Sequence, residues 1–319
     1  MGRHLTPNSI MKITQITQHR FFPYFVMIIP PLLWAGNFIV GKAVSDQHAP
    51  LGLSFWRWFL ASVLFVPFAF RSMWQQRHII QRYFWHITLL ALLSVSLFNS
   101  LAYISLQYTT ATNATLFNSF IPIFILIISS LFFNEPISKK QVLGVAISLL
   151  GVIAILTKLD QTILMSLQIN QGDLWMLLAS LDWALYSILL KYLRPKELTA
   201  VSFLGILMII GTILILPVYL LNPFAEPTMT LNRDMLSALI YIAVFPSIVS
   251  YLVWNYGMQR LGAATGGQYI HLMPLFGAIM AVIFLGEAIQ LYHIVGALLI
   301  GSGLWLSIHL KNTTRHTDQ

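Results

Sequence analysis

Long apolar runs separated by short polar joins make up almost the whole chain. A helix that crosses about 30 Å of hydrocarbon needs about 20 mostly apolar residues. The runs are too long and too uniformly apolar for transmembrane strands, which alternate in polarity over about 10 residues. The pattern therefore predicts ten membrane-crossing helices, at residues 21–43, 52–70, 86–106, 110–133, 141–157, 172–193, 199–221, 235–256, 265–286 and 291–310.

The amino-acid composition is that of a chain that lies in lipid. Hydrophobic residues make up 57% and charged residues 9% of the sequence, whereas a soluble domain carries about 25% charged residues. So few charges leave too little polar surface for a water-soluble globule, which predicts one integral membrane domain. Because the sequence has no cysteine, disulfides, thiolate metal sites and cysteine nucleophiles are excluded.

The first apolar run is longer than a signal peptide requires. Residues 1–20 are polar and basic, and the run that follows extends from Phe21 to about Val44. The hydrophobic region of a signal peptide has only about 7–15 residues. We therefore expect an uncleaved first helix preceded by an N-terminal tail.

Lysine and arginine residues lie mostly on one side of the predicted bundle. With the N-terminus inside, 14 of the 18 basic residues fall in inside segments, three fall at outside ends, and Arg57 falls within a span. Cytoplasmic segments of membrane proteins carry an excess of positive charge. We therefore predict a protein of the inner (plasma) membrane with cytoplasmic tails at 1–20 and 311–319. The net charge of +8 is then a signal of topology, and it gives no reason to expect nucleic-acid binding.

The second half of the chain repeats the first half in the opposite orientation. At an offset of 152, Pro122, Phe132, Glu135, Gly144 and Gly151 correspond to Pro274, Phe284, Glu287, Gly296 and Gly303. Five crossings precede the second copy, and an odd number of crossings inverts it. We predict two inverted five-helix repeats, at 21–158 and 172–310. Inverted repeats are typical of secondary transporters, which bind substrate between the halves near mid-membrane.

The chain resembles the EamA type of the drug/metabolite transporter superfamily over nearly its whole length. The resemblance is carried by "LLWAGNFIVGK" in the first span, "FWRWFLASVLF" in the second, "FFNEPIS…LGVAISLLG" and the weaker copy "FLGEAIQ…VGALLIGSG". It implies a ten-helix inverted fold and a role in metabolite export. The second copy departs from the pattern, with Ala288 after its glutamate and Asp182 beside its tryptophan. The substrate does not carry over, because the family moves many different ones.

Two ionisable residues fall within predicted spans and are candidates for function. Asp182 lies about ten residues into the sixth span, with Tyr186 one turn later on the same face. Its carboxyl could bind a substrate ammonium group or carry a proton. His271 in the ninth span is a second candidate for proton coupling. The alternative is that both side chains only form hydrogen bonds between helices.

Polar and aromatic residues recur in the spans that correspond between the repeats, namely 1 and 6, 3 and 8, and 4 and 9. Because polar groups that face lipid are costly, we expect these residues to line one central cavity. The alternative is hydrogen bonding between helices. Together with Asp182 and His271, the predicted substrate-binding residues are Trp34, Asn37, Asn99, Tyr103, Asn113, Phe117, Tyr186, Tyr251, Trp254 and Gln268.

Other residues of the repeat motifs have predicted structural roles. Arg57 lies about one turn from the outer end of its span, and we expect it to snorkel to the surface or to pair with Asp46 or Glu287 on the same side. Glu135 and Glu287 lie at helix ends, where a carboxylate can accept backbone N–H bonds. Pro122 and Pro274, at mid-span, are expected to kink their helices.

The sequence favours a carrier over an enzyme. It contains no G-x-S-x-G, H-E-x-x-H or P-loop motif, so we expect no catalytic residues, no cofactor and no metal. We predict a secondary transporter that exports small amphipathic metabolites, either amino acids or organic amines, with protons as a candidate coupling ion. The absence of a predicted lysine or arginine near the membrane centre argues against phosphorylated substrates. A channel or a lipid scramblase remains the alternative.

Overall fold

The structure, a computed structural model, is a helical bundle, and it describes residues 21–45, 50–166, 169–221, 232–285 and 288–309. Within those ranges, ten helices are long and apolar enough to cross a membrane, and each coincides with a predicted run. The ten-helix architecture is therefore confirmed. We label the helices α1 (Phe22–Val40), α2 (Pro50–Gln75), α3 (Phe84–Tyr108), α4 (Ala111–Phe133), α5 (Lys139–Leu156), α6 (Gln171–Leu193), α7 (Ala200–Leu221), α8 (Met235–Leu261), α9 (Ala263–Phe284) and α10 (Leu291–Ile308).

Two short helices connect longer ones and were not predicted from the sequence. One, Arg77–Arg82, lies between α2 and α3, and the other, Gln161–Ser166, lies between the two repeats. Both have only six residues. Helices of that length bury too little surface to leave a readable hydrophobic period, so their absence from the prediction is expected.

The repeats are joined by α5 and α10, whose backbones touch at glycine. A Cβ atom added to Gly144 would lie 2.6 Å from the carbonyl oxygen of Gly303, and one added to Gly151 would lie 2.8 Å from that of Gly296. Both distances are too short for real Cβ atoms, so the two helices need glycine where they cross. Gly144 and Gly151 are the repeat mates of Gly296 and Gly303. The glycines that revealed the duplication are thus the residues by which its two copies meet.

Irregular helix turns occur at corresponding places in the two repeats. α3 contains a π-helical segment at Leu92–Leu97, and α8 contains one at Ala243–Val249. α4 is interrupted after Asn118, and its helix resumes at Ile121 with Pro122 in the first turn. α9 changes to a 3₁₀ turn at Gln268–His271, just before Pro274. The predicted departures from straight helix near the two prolines are confirmed, since proline cannot donate the backbone hydrogen bond that continues a helix.

Glu135 connects the first repeat to the second. Its carboxylate forms an ion pair with Lys191 and accepts a hydrogen bond from the Tyr192 hydroxyl at 2.6 Å. The N-terminus of α5 is capped by Ser138, which forms a capping box with Gln141. Ser138 and Gln141 thus satisfy backbone N–H groups at the start of α5. The corresponding glutamate, Glu287, lies outside the described residues.

Candidate functional site

The side chain of Arg57 lies at the centre of a buried polar network. It is 2% exposed. Nε donates to Ser247 Oγ at 2.6 Å, and Nη1 donates to Asn99 Oδ1 at 2.8 Å and to the Tyr103 hydroxyl at 3.1 Å. These partners come from α3 and α8, and all are neutral. Nη2 has no hydrogen-bond partner in the part of the chain that the structure describes.

Further hydrogen bonds extend this network to α1 and across the repeat axis. The Tyr103 hydroxyl donates to Asn37 Oδ1 at 3.0 Å. Asn99 Nδ2 donates to the Tyr251 hydroxyl at 3.2 Å, and that hydroxyl donates to the carbonyl oxygen of Ser94 at 2.5 Å. Ser94 and Ser247 both lie in the π-helical segments, so the irregular turns of α3 and α8 position the polar groups around Arg57.

Four aromatic side chains form one wall of the network. Trp34 meets Trp183 edge to face, with ring centroids 5.3 Å apart, and lies 5.1 Å from Trp254. Trp183 also contacts the Tyr251 ring at 5.4 Å. Trp34 Nε1 donates to the carbonyl oxygen of Pro246 at 3.0 Å. Trp34, Tyr251 and Trp254, predicted in spans 1 and 8, are thus brought together. Trp183 of span 6 joins them, although it was not among the predicted site residues.

A small cavity of about 20 Å³ lies between the network and the wall. A buried water needs about 10–15 Å³, so the cavity holds about one water and is too small for a metabolite. Its lining residues come from both repeats and include Trp34, Asn37, Phe38, Arg57, Phe98, Asn99, Asn118, Trp183, Tyr251, Ile270 and Met273.

Asp182, which precedes the cavity-lining Trp183 in α6, has an unpaired carboxylate oxygen. It is 7% exposed, and its Oδ2 is buried without a hydrogen-bond partner among the described residues. It interacts electrostatically with the Tyr251 hydroxyl, as Arg57 also does. Tyr186, one turn later on α6, donates from its hydroxyl to Asn255 Oδ1 at 2.5 Å.

His271 and Gln268 belong to a second cluster between α4, α5 and α9. His271 Nε2 lies 2.9 Å from the carbonyl oxygen of Ser119, and its Nδ1 lies 2.6 Å from Ser148 Oγ. Because a carbonyl only accepts, Nε2 carries the hydrogen and Nδ1 accepts from the serine hydroxyl. Gln268 Nε2 donates to the same Ser148 oxygen at 3.1 Å. In the described part of the chain Asp182 and His271 share no hydrogen bond.

Asn113 and Phe117 lie apart from both clusters. The backbone N–H of Asn113 donates to Thr110 Oγ1 in the first turn of α4. The Phe117 ring stacks on Phe120 at 6.0 Å. Neither residue lines the small central cavity, and their expected contribution to a substrate site stays a prediction. Among the described residues, no three His, Asp or Glu side chains group closely enough to hold a metal ion.

Comparison with known proteins assigns the chain to a family. Residues 21–157 and 170–308 match the model of the EamA-like transporter family. The chain belongs to this family. The two matched segments coincide with the two repeats, and the protein is accordingly a membrane transporter.

Relatives agree with this assignment, and a solved structure shares the fold. An uncharacterized transporter of Archaeoglobus fulgidus is 29% identical, with 89% of this chain and 96% of the relative covered. An uncharacterized transporter of Bacillus subtilis, YyaM, is 24% identical, with 88% and 92% covered. A crystal structure of a protein with 14% identity superposes with a TM-score of 0.69 and covers 93% of this chain and 99% of its own. That last likeness shows the fold alone.

The position of Arg57 in this EamA-like transporter corrects two expectations. Its burial and its bonds to Ser247, Asn99 and Tyr103 show that it does not snorkel. The carboxylates expected to pair with it, Asp46 and Glu287, lie outside the described residues. α2 begins at Pro50 rather than at residue 52. Arg57 therefore lies about 10 Å inside the helix at 1.5 Å per residue, at the level of mid-span residues of α3 and α8. The expectation that no lysine or arginine lies near the membrane centre is wrong for the same reason.

A large vestibule enters this EamA-like transporter from the end of the bundle at which α1 ends. It has a volume of about 730 Å³ and is lined by residues of α1, α4, α5, α8, α9 and α10. Phe38 and Met273 line both the vestibule and the small cavity. These two side chains therefore separate the cavity from the vestibule. Sequence reasoning missed them, because an apolar residue in an apolar span carries no signal of such a position.

Proposed function

We propose that this transporter is a secondary carrier that exports amino acids and related small carboxylates by alternating access, with the substrate bound at Arg57. The observation that carries the proposal is a buried guanidinium group whose hydrogen-bond partners are all neutral and which lines a cavity between the repeats. Membership of the EamA-like family supports transport as such. The substrate, the direction and the mechanism are our proposal.

The charge of Arg57 favours a carboxylate ligand. A guanidinium group keeps its charge at any relevant pH, and a buried charge is costly unless an opposite charge pairs with it. In the described residues Arg57 has no acidic partner, and the two N–H groups of its Nη2 remain unused. A carboxylate would form short, charge-assisted hydrogen bonds with them. An organic amine without a carboxylate would leave the guanidinium charge of Arg57 unpaired, so we favour amino acids over amines.

Asp182 and the aromatic wall suit the remaining parts of an amino acid. The unpaired Oδ2 of Asp182 could accept from an ammonium group. Tyr251 interacts electrostatically with both Arg57 and Asp182, so both groups act on the same hydroxyl. The faces of Trp34 and Trp183 could stabilise a cation or stack on an apolar side chain. Asp182 is also the better placed of the two proton-coupling candidates, because both ring nitrogens of His271 already have partners.

The cavities support alternating access. The vestibule opens one end of the bundle, while the central cavity behind Phe38 and Met273 holds only about one water. Substrate entry therefore requires these side chains to move, and rocking of the inverted repeats would expose the site to each end in turn. With the N-terminus in the cytoplasm, as the distribution of basic residues favours, the vestibule faces outward.

A matched set of aromatic compounds tests the substrate class. Phenylalanine, phenethylamine and phenylpropionate share a ring but differ in whether they carry an ammonium group, a carboxylate or both. In proteoliposomes containing the full chain, we expect saturable flux of phenylalanine, weaker flux of phenylpropionate and little flux of phenethylamine. Equal flux of phenethylamine and phenylalanine would contradict the proposed role of Arg57. Flux that does not saturate would favour a channel.

The proposed orientation is tested separately. The sequence has no cysteine, so single cysteines can be labelled without background. We expect Lys140→Cys and Leu291→Cys, in corresponding joins of the two repeats, to be labelled by an impermeant reagent from opposite sides. Labelling of both from the same side would contradict the inverted insertion. Labelling of Lys140→Cys from outside would show that the chain is inserted in the opposite orientation, with the vestibule facing the cytoplasm.

A further inference from the structure

A second polar cavity lies at the end of the bundle opposite the vestibule, where α6 and α8 end and α7 begins. Its volume is about 160 Å³, which gives room for several waters. Two arginines line it, together with the side chains of an asparagine, a glutamine and a tyrosine. The full lining is Arg194, Ala200, Phe203, Leu252, Asn255, Tyr256, Gln259 and Arg260.

The two arginines of this cavity lack acidic partners in the part of the chain that the structure describes. Arg194 Nε is buried without a hydrogen-bond partner there, and Nη2 donates to the carbonyl oxygen of Leu198 at 3.3 Å. Burial lowers the pKa of the Arg194 guanidinium below its usual value, which indicates a poorly solvated cation. Arg260 lies with Cζ 5.6 Å from the centroid of the Tyr256 ring. Neither arginine takes part in an ion pair among the described residues.

The chemistry of the lining is that of a site for an anion. Guanidinium groups only donate hydrogen bonds, and their planar arrangement of N–H groups matches the oxygens of carboxylate and phosphate. The side-chain amides of Asn255 and Gln259 add further N–H donors. A site with two cations and several donors, and with an unpaired buried Nε, is best satisfied by a ligand that only accepts.

The second cavity is separate from the Arg57 site but adjacent to it. Asn255 lines the cavity, and its Oδ1 accepts from the Tyr186 hydroxyl. The Tyr186 ring lies 5.1 Å from that of Trp183, which lines the central cavity. Arg194 also interacts electrostatically with Tyr186. One layer of side chains thus stands between the two sites.

We propose that Arg194 and Arg260 form a second binding site, for an oxyanion of the phosphate or carboxylate class. The ligand is either a small soluble anion or the phosphate headgroup of a lipid, since both present the same oxygens to the arginines. The site does not depend on the substrate proposed for Arg57, because no residue lines both cavities.

Binding to the purified full chain tests this site without a transport assay. The protein in neutral detergent is titrated with inorganic phosphate, with ionic strength held constant by chloride, and in a parallel arm with short-chain phosphatidylglycerol. The thermal midpoint of unfolding reports binding. We expect a saturable rise in one arm, and we expect Arg194→Gln to raise the half-saturating concentration by about tenfold or more, as loss of a charge-assisted contact would.

Three variants make the result decisive. Arg260→Gln alters the same cavity from an exposed position, and it provides the test if Arg194→Gln does not fold. Arg71→Gln removes one exposed charge elsewhere and should leave binding unchanged. Arg57→Gln should also bind as the wild type does, whatever its effect on transport. Saturation by phosphate assigns a soluble anion, and saturation by the lipid alone assigns a headgroup. Absence of saturation in both arms, or an equal effect of Arg71→Gln, would overturn the proposal.

Discussion

Replacing Arg57 by glutamine tests the proposed substrate site most directly. Glutamine leaves an amide at about the position of Nε, but it removes the charge, the Nη1 bonds to Asn99 and Tyr103, and the free Nη2. Removing one partner of a buried, hydrogen-bonded charge pair costs about 2–5 kcal/mol. At about 3 kcal/mol, the efficiency of transport of a carboxylate substrate should fall about 100-fold. Arg57→Lys keeps the charge but loses the planar fork, so its loss should be smaller.

The assay is counterflow of labelled phenylalanine in proteoliposomes, with initial rates measured over a range of concentrations. Arg71→Gln removes an exposed arginine of the same helix and serves as the matched control. Reconstituted amount and thermal midpoint are compared for all variants, so that a folding defect is recognised. Phenylalanine transport by Arg57→Gln at wild-type efficiency would refute the reasoning. A well-folded variant that lost phenethylamine and phenylalanine flux by the same factor would refute it as well, since the amine has no carboxylate.

Three further predictions concern other parts of the bundle. Asp182→Asn should abolish the dependence of flux on a pH gradient while leaving the reconstituted amount unchanged; gradient-driven flux like that of the wild type would exclude a coupling role. Gly151→Ala should lower the free energy of unfolding by about 1–3 kcal/mol, because its Cβ would lie 2.8 Å from the Gly296 carbonyl oxygen. Gly301→Ala, with no atom within 4 Å of its Cβ, is the control, and an equal loss there would contradict the packing argument. Phe38→Ala should increase the labelling rate of a cysteine placed at Asn37, and an unchanged rate would show that Phe38 does not limit access from the vestibule.

Repeat mates meet one another in both polar clusters, and this relation follows from the numbering of the duplication. Asn99 bonds to Tyr251, and His271 bonds to the carbonyl oxygen of Ser119, each across 152 residues. In an inverted duplication, residues near the symmetry axis lie close to their own counterparts. The contact between Asn99 and Tyr251 can therefore be predicted from the offset between the two copies. The positions of Ser94 and Phe38 cannot, because no feature of the sequence distinguishes them from their neighbours.

The sequence alone was sufficient for the ten membrane spans and the duplication. Ten spans follow from run length, because a bilayer leaves the backbone no alternative to helices of about 20 residues. The glycines at 144, 151, 296 and 303 recur at one offset, and the structure shows that backbone contact between α5 and α10 requires them. These features depend on local composition and on a uniform apolar solvent, both of which are visible along the chain.

The tertiary structure alone decided which polar residues share a site. The sequence shows that a side chain must avoid lipid, but several buried directions satisfy that need, and only the rotation and crossing of neighbouring helices select one. Arg57 turns inward because Asn99, Tyr103 and Ser247 supply acceptors around it, while His271 and Gln268 turn toward Ser148 in a separate cluster. The directions of these side chains are set by contacts between residues far apart in the chain, and such contacts exist only once the helices have packed.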